Sequence, residues 1–405
     1  MDKAEKVAPI IIRGAAVYSE KGIEEAGYIL IEDGKIGSIG RGIPEQQSGA
    51  LVLSFPAAYK VVPGMIDLHI HGAAGADVMD ASREALKTIA AQLPAEGTTG
   101  FLATTMTQTE DAIEKALGAV AGYMANPAGA GAEVLGVHLE GPFISPKRAG
   151  AQPVHLIREM DIGTFDRWQS ISGGNIKLVT LAPERQGGLD FTRHLAKQGV
   201  VASIGHSDAT YAETVKGIEA GITHATHLYN GMRGLHHRDP GVAGAVLLYK
   251  AVKAELIADG IHVHPDMVSL TYKNKGSEGL IIITDAMRAK CLGSGTYELG
   301  GQEVRVGNGR ATLADGTLAG SVLQMRDAVR NTIAYTGCSL EEIVQMTSTN
   351  PARQIGVFDR KGSLAEGKDA DIVVLNEDNG VVLTLCRGRI AYKETRYETE
   401  SGTEL

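Results

Sequence analysis

Six side chains suited to metal chemistry fall at or just after the ends of short aliphatic runs in this 405-residue chain. His69 and His71 close MIDLHIH, Glu140 closes EVLGVHLE and His227 closes ITHATH. His206 follows VVASIG, and Asp285 follows LIIIT. In a strand, positions i and i+2 face the same way, so His69 and His71 point together. Imidazole nitrogens and carboxylate oxygens are ligands for Zn, Fe or Mn, with little to separate these metals. Each residue alone has a plainer role: a histidine in a glycine-rich turn bonds locally, and an aspartate after a strand caps a helix. Caps and core histidines have no reason to choose five strand ends at once.

Two other segments carry possible anion chemistry. RGLHHRDPG (233–241) gathers Arg233, His236, His237 and Arg238 just after the His227 strand end. Arginine there offers a fork matched to phosphate oxygens. The segment from Gly362 to Lys368 matches most of a phosphate-binding loop, but Asp369 stands where a Ser or Thr would hold magnesium. The chain then continues in a strand pattern, DIVVL, rather than a helix whose N-terminus faces phosphates, so the segment reads as a hairpin turn.

The elements that must position these groups alternate. From about residue 61 to 350, eight buried-type runs (the five above with TTGFLATT, KLVTLAP and AELIAD in their places) are separated by amphipathic stretches such as SREALKTIAAQLPAEG and YAETVKGIEAG. Eight strands with helical connections is the count of a parallel (β/α)8 TIM-type barrel, whose active sites are built at C-terminal strand ends. A doubly wound sheet is the alternative, normally with fewer strands and a Gly-rich first turn. Both termini read as β. Residues 1–58 and 353–405 together make a small β-sandwich domain around a barrel at 59–352, neither end being long enough alone.

Composition sets outer bounds. Acidic residues outnumber basic ones 48 to 39, a net charge of -9, which argues against nucleic-acid binding. Glycine is abundant, 51 residues against a typical value of about 7%. Gly72, Gly141, Gly205, Gly231 and Gly260 sit beside the candidate ligands, where a side chain would crowd a metal or substrate. Cys291, Cys338 and Cys386 are distant from one another and suggest neither disulfides nor a CxxC site. No signal peptide or 18-residue apolar stretch is visible, so the expectation is a cytoplasmic protein with no membrane partner. The charged end KETRYETESGTEL reads as a frayed terminus.

In sequence order, PGMIDLHIHG (63–72), HLEGPFISPKRAGAQ (138–152), GHSDAT (205–210), THLYNGM (226–232), ADGIHV (258–263), TDAM (284–287), TLAGS (317–321) and TSTNPAR (347–353) resemble the amidohydrolase superfamily, and within it the deacetylases of amino-sugar phosphates. The resemblance implies a barrel plus a small β domain built from both termini. It implies hydrolysis of the acetamide of N-acetyl-D-glucosamine 6-phosphate to D-glucosamine 6-phosphate and acetate, with the N-acetylgalactosamine epimer as the alternative substrate.

Glu140, His206 and His227 match the family's principal metal site, and His69 and His71 a second site that only some members fill. The implied cofactor is thus one or two divalent ions per subunit. Glu140 stands where other branches use a carboxylated lysine, and the fourth run here ends without lysine. Asp285 matches the catalytic acid/base. Ala151 and Gln152 match a sugar-contacting pair, although several relatives have His at the latter position. Asn230, Gly231 and His262 match sugar or phosphate contacts, and Leu318, Ala319 and Gly320 a loop at the acetyl end. Arg238 matches a phosphate-binding arginine that reaches the neighbouring subunit's site, which implies a homodimer.

Overall fold

The computed structural model describes residues 8–42 and 49–395; the far end of the charged C-terminal segment lies outside them. Eight parallel strands form one sheet in chain order: Met65–Ile70, Thr98–Thr104, Glu133–Glu140, Ile176–Leu181, Val201–Ile204, Ile222–Ala225, Lys253–Ile257 and Leu280–Ile283. Nearly every residue in them is buried, as in MIDLHI and TTGFLAT, because helices cover the outside and side chains fill the inside. Both expected amphipathic stretches are helices. Ser82 caps Arg83–Gln92, and a Thr210–Glu213 capping box starts Tyr211–Ala220.

The first and last barrel strands share no ladder within their spans, yet the circle closes just above them. Asp285 N donates to His69 O at 2.8 Å, His71 N donates to Ala286 O at 2.9 Å, and Ile70 bridges Ala286. The fold is therefore a (β/α)8 barrel, and its closing seam runs through the candidate site.

The chain's two ends meet in two further sheets. A four-stranded sheet is N-terminal throughout, ordered Lys35–Arg41, Gly27–Glu32, Ile10–Arg13 and Leu51–Ser54. In a six-stranded sheet, Ile372–Leu375 pairs antiparallel with Lys60–Pro63. Inward residues of both sheets, among them Ile12, Ile29, Ile31, Val61, Ile372 and Val374, share one apolar core. In Gly27–Glu32 the buried positions alternate, the period of a half-buried strand. Lys60–Pro63 leads within two residues into the first barrel strand, so this sheet anchors the strand that carries His69 and His71.

Two features differ from the sequence reading. The segment 362–369 is a turn but not a hairpin. It runs between isolated bridges from Leu364 to Ser19 and from Asp369 to Lys35, and Lys368 Nζ is buried against Phe358 O and Ser363 Oγ at 2.6 Å. An antiparallel three-stranded sheet at Gly295–Leu299, Gln302–Gly307 and Arg310–Thr312 follows the eighth strand and was not anticipated.

Candidate active site

The six candidate ligands converge at the C-terminal mouth of the barrel, all buried. Glu140 is their centre. Its Oε1 lies 3.1 Å from His227 Nε2 and 3.3 Å from both His206 Nε2 and His69 Nε2, while Oε2 lies 3.3 Å from His71 Nε2. Asp285 Oδ1 sits 3.3 Å from His69 Nε2 and 3.4 Å from His71 Nε2. Two donor groups capable of holding a metal share this space: Glu140 with His206 and His227, and Asp285 with His69 and His71.

The donor set fits a cation. His206 Nε2 and His227 Nε2 face each other at 3.1 Å, and His69 Nε2 is buried without a hydrogen-bond partner. Bonds of about 2.0–2.1 Å in a tetrahedron place ligand atoms about 3.3 Å apart, close to the spacing here. His206, His227 and Asp285 all adopt left-handed backbone conformations, with φ of 47°, 30° and 49°. Such strain in non-glycine residues costs on the order of 1–3 kcal/mol each and persists where the surroundings over-determine it.

Side chains beneath the mouth orient the ligands. Glu255, on the seventh strand, accepts from His69 Nδ1 and His224 Nε2 at 3.0 Å each and from His227 N at 3.1 Å. The carbonyls of Arg148 and Thr104 accept from His206 Nδ1 at 2.8 Å and His71 Nδ1 at 3.2 Å, so each Nε2 is left for the cavity. His138 bonds Thr180 Oγ1 at 2.7 Å, and burial and the neighbouring His69 push its pKa down to about 3, keeping it neutral.

Electrostatics match an anionic cavity. Burial would push His69 down, but Asp285, Glu140 and Glu255 carry it well above the ordinary imidazole value. Burial also opposes charge on His71, yet hydrogen bonds to Asp285 and Glu140 raise it to about 9. Against its burial, His69 and the hydrogen bonds of His206 and His227 hold Glu140 well below the carboxylate range. The raised His69 and His71 and the lowered Glu140 mark a pocket that favours positive charge, and an ion held there would displace the protons of those two imidazoles.

The cleft above has a volume of about 220 Å3 and is lined by Ala151, Gln152, Asn230, Gly231, His262, Leu318 and Gly320 together with the ligands. Asp259 Oδ2 lies 2.6 Å from His262 Nδ1. Two expected contacts lie elsewhere. Ala319 is buried in an apolar cluster with Met287 and Val304, and Arg238 is exposed, its Nη1 2.6 Å from His237 Nε2. A larger cavity of about 450 Å3 along Pro183–Asp190 gathers none of the candidate ligands. Of the glycines noted in sequence, Gly231 does guard a ligand, since a Cβ there would lie 2.9 Å from His206 Nδ1. At Gly72 and Gly141 a Cβ would instead strike Ala76 O and Thr107 Oγ1, so those two serve loop packing.

Glu255, His138, His224 and Asp67 escaped the sequence reading. Asp67 lies two residues before His69 and His138 two before Glu140, so the strand period alone places both inside the barrel.

The amidohydrolase family model matches residues 60–391. The chain belongs to the amidohydrolase family. Among its relatives, this amidohydrolase is 48% identical over 385 residues to N-acetylglucosamine-6-phosphate deacetylase of Bacillus subtilis (strain 168), covering 95% of this chain and 97% of that one. It is 39% identical over 381 residues to N-acetylgalactosamine-6-phosphate deacetylase of Escherichia coli O157:H7, covering 94% and 99%. A solved structure of a mutant N-acetyl-D-glucosamine-6-phosphate deacetylase from Mycobacterium smegmatis, in complex with N-acetyl-D-glucosamine-6-phosphate, matches with a TM-score of 0.89 and 32% identity, covering 95% and 100%. No helix among the described residues is long and apolar enough to cross a membrane.

Proposed function

We propose that this amidohydrolase hydrolyses the acetamide of N-acetyl-D-glucosamine 6-phosphate to D-glucosamine 6-phosphate and acetate. The observation that carries the reading is the convergence of Glu140, His206, His227, His69, His71 and Asp285 under a cleft of sugar size, in a chain 48% identical to a deacetylase of that substrate.

Glu140, His206 and His227 would hold one divalent ion, and His69 and His71 would contribute to a second with Asp285; these two donor groups support two ions of Zn, Fe or Mn. When bound, such an ion supplies a water acidified toward neutrality and a positive centre for the amide oxygen. Asp285 is the proton carrier: burial disfavours its charge, but the positive charge beside it on His69 and His71, which an ion held there would replace, keeps its pKa low. It takes a proton from the attacking water and returns it to the departing amine, without which the amine is a poor leaving group. Asn230, Gly231 and His262 line the sugar side of the cleft, and Leu318 and Gly320 the acetyl side. Gln152 lines it as well, while Ala319 supports the acetyl loop from behind.

The cleft lining includes no Lys or Arg among the described residues, although a phosphate dianion calls for one. Arg238 of a second copy fills that need, so the active form is a homodimer. The exposed Leu235, three residues before Arg238, supports an interface here. The barrel segment 59–352 carries the catalytic groups, and the terminal segments 1–58 and 353–405 support it through the sheet that its own Lys60–Pro63 joins. Three unpaired cysteines support a cytoplasmic setting.

The test is acetate release by metal-replete protein from the 6-phosphates of N-acetylglucosamine and N-acetylgalactosamine, paired with metal analysis. A higher kcat/KM on the glucosamine compound is expected. Equal values would remove the specificity, and no turnover of either would overturn the reading.

A further inference from the structure

Gln152 lines the cleft, yet both polar atoms of its side chain are held by protein contacts. Its Oε1 accepts from Thr107 N at 2.8 Å, its Nε2 donates to Glu140 Oε2 at 2.8 Å, and the same nitrogen lies 3.6 Å from Met106 Sδ. The orientation of the amide is fixed by chemistry. A backbone N–H can only donate, so the atom beside Thr107 N must be the oxygen and the atom beside Glu140 the nitrogen. Both amide hydrogens are thereby committed to protein partners, one to Glu140 Oε2 and one toward Met106 Sδ. The residue is 5% exposed, and its own N–H is tied to Ala149 O at 2.9 Å.

We propose that Gln152 is a positioning residue for Glu140, one that fixes the orientation of its carboxylate toward the metal, and not the group that polarises the substrate carbonyl. Glu140 could rotate about its terminal bond; the Gln152 contact on Oε2 holds that oxygen beside His71 and leaves Oε1 turned to His69, His206 and His227. A neutral donor suits the task. A cationic side chain at this distance would compete with the metal for the same carboxylate, whereas an amide orients it and leaves its charge available.

The inference rests on Glu140 as a metal ligand, and it is tested on zinc binding, which does not depend on the substrate. Zn2+ affinity is measured by competition with a chromophoric chelator for the parent and for Gln152→Met, which keeps the length and loses both polar ends. Loss of an orienting contact predicts zinc binding weaker by about 10–100-fold. At saturating zinc, KM for N-acetylglucosamine 6-phosphate should return to the parent value. Unchanged zinc affinity overturns the proposal. A KM that stays raised at saturating zinc overturns the exclusion of a substrate contact. Should Gln152→Met fail to fold, Gln152→Ala, which leaves room for water, reads the same two quantities. If the parent binds zinc but does not turn over this sugar phosphate, the functional reading fails while the zinc comparison still decides the role of Gln152.

Discussion

The Asp67 carboxylate stitches the barrel shut through Thr284. Asp67 Oδ2 accepts from Thr284 Oγ1 at 2.5 Å, while Oδ1 accepts from Thr284 N at 3.3 Å and His69 N at 3.2 Å. One buried side chain thus replaces ladder hydrogen bonds between the first and eighth strands, directly below His69 and Asp285. Asp67→Ala leaves two buried N–H groups and a hydroxyl without their acceptor, at roughly 1–3 kcal/mol each. The expected result is a clear fall in the thermal midpoint together with loss of activity. Asp67→Asn keeps one acceptor and should cost less. Denaturant unfolding of both variants checks the order, and an alanine variant as stable as the asparagine one would contradict it.

A second expectation concerns Asp285. Asp285→Asn keeps the volume and removes the proton acceptor, so kcat should fall by about 10^2–10^4 while the sugar phosphate still binds. Calorimetric binding and single-turnover kinetics separate the two effects. Near-parental kcat would exclude the proton-transfer role.

Much of this site was legible because strand ends are marked in sequence by glycine and by a change of pattern, so His69, Glu140 and His227 could be assigned to a barrel mouth before any coordinates. The supporting layer was less visible. Glu255 lies mid-strand in KAELI and reads as an ordinary charged residue; its hold on His69, His224 and His227 depends on which strands become neighbours. The three-stranded sheet at 295–312 was readable and was missed. Gly300-Gly301 and Asn308-Gly309 are hairpin turn pairs, and all four residues have φ between 52° and 81°. That sheet brings Leu299 into the cleft and ties Gln302 Nε2 to Ala151 O at 2.6 Å. Arg238 shows the other limit, since its proposed role belongs to a second copy.

Beneath the mouth, Lys290 is fully buried with its Nζ 2.6 Å from Glu96 Oε1, and Glu96 Oε2 accepts from Met325 N at 2.8 Å. Removing one partner strands the other charge. Lys290→Met should therefore destabilise the protein by about 3–5 kcal/mol, and replacing both Lys290 and Glu96 by apolar residues should recover part of that loss. Chemical denaturation of the two single variants and the double variant checks the recovery.

The Asp259–His262 pair predicts a pH dependence of substrate binding. Burial would lower His262, but the hydrogen bond and charge of Asp259, helped by Asp285, raise it above its ordinary 6.5. Its cation is therefore fully present below pH 6.5 and is lost as pH rises through the raised folded value. The stability it contributes follows the same course. KM for the sugar phosphate should accordingly be flat on the acid side of that value and climb beyond it. Asp259→Asn removes the charge that raises His262 and should move the climb to lower pH. Titration of the His262 ring by NMR, alongside KM for the sugar phosphate, checks the assignment; a climb at the same pH in the parent and Asp259→Asn would place its origin elsewhere.

Arg238→Ala tests whether the phosphate is gripped across two subunits. Loss of a charge-assisted contact should raise KM for the 6-phosphate by about 10–100-fold, with little effect on the unphosphorylated sugar. A mixing experiment then separates a grip within one chain from a grip between chains. In the proposed dimer, a site takes Asp285 from one copy and Arg238 from the other. A mixed dimer of Arg238→Ala with Asp285→Asn therefore has one site carrying both lesions and one site carrying neither. Unfolding and refolding the two impaired variants together, assayed with the 6-phosphate well below the raised KM of Arg238→Ala, should restore activity, up to about a quarter of the parent value if chains pair at random and two intact sites per dimer define that value. If Arg238 served its own chain, every mixed site would carry a lesion and activity would not rise above that of the separately refolded variants.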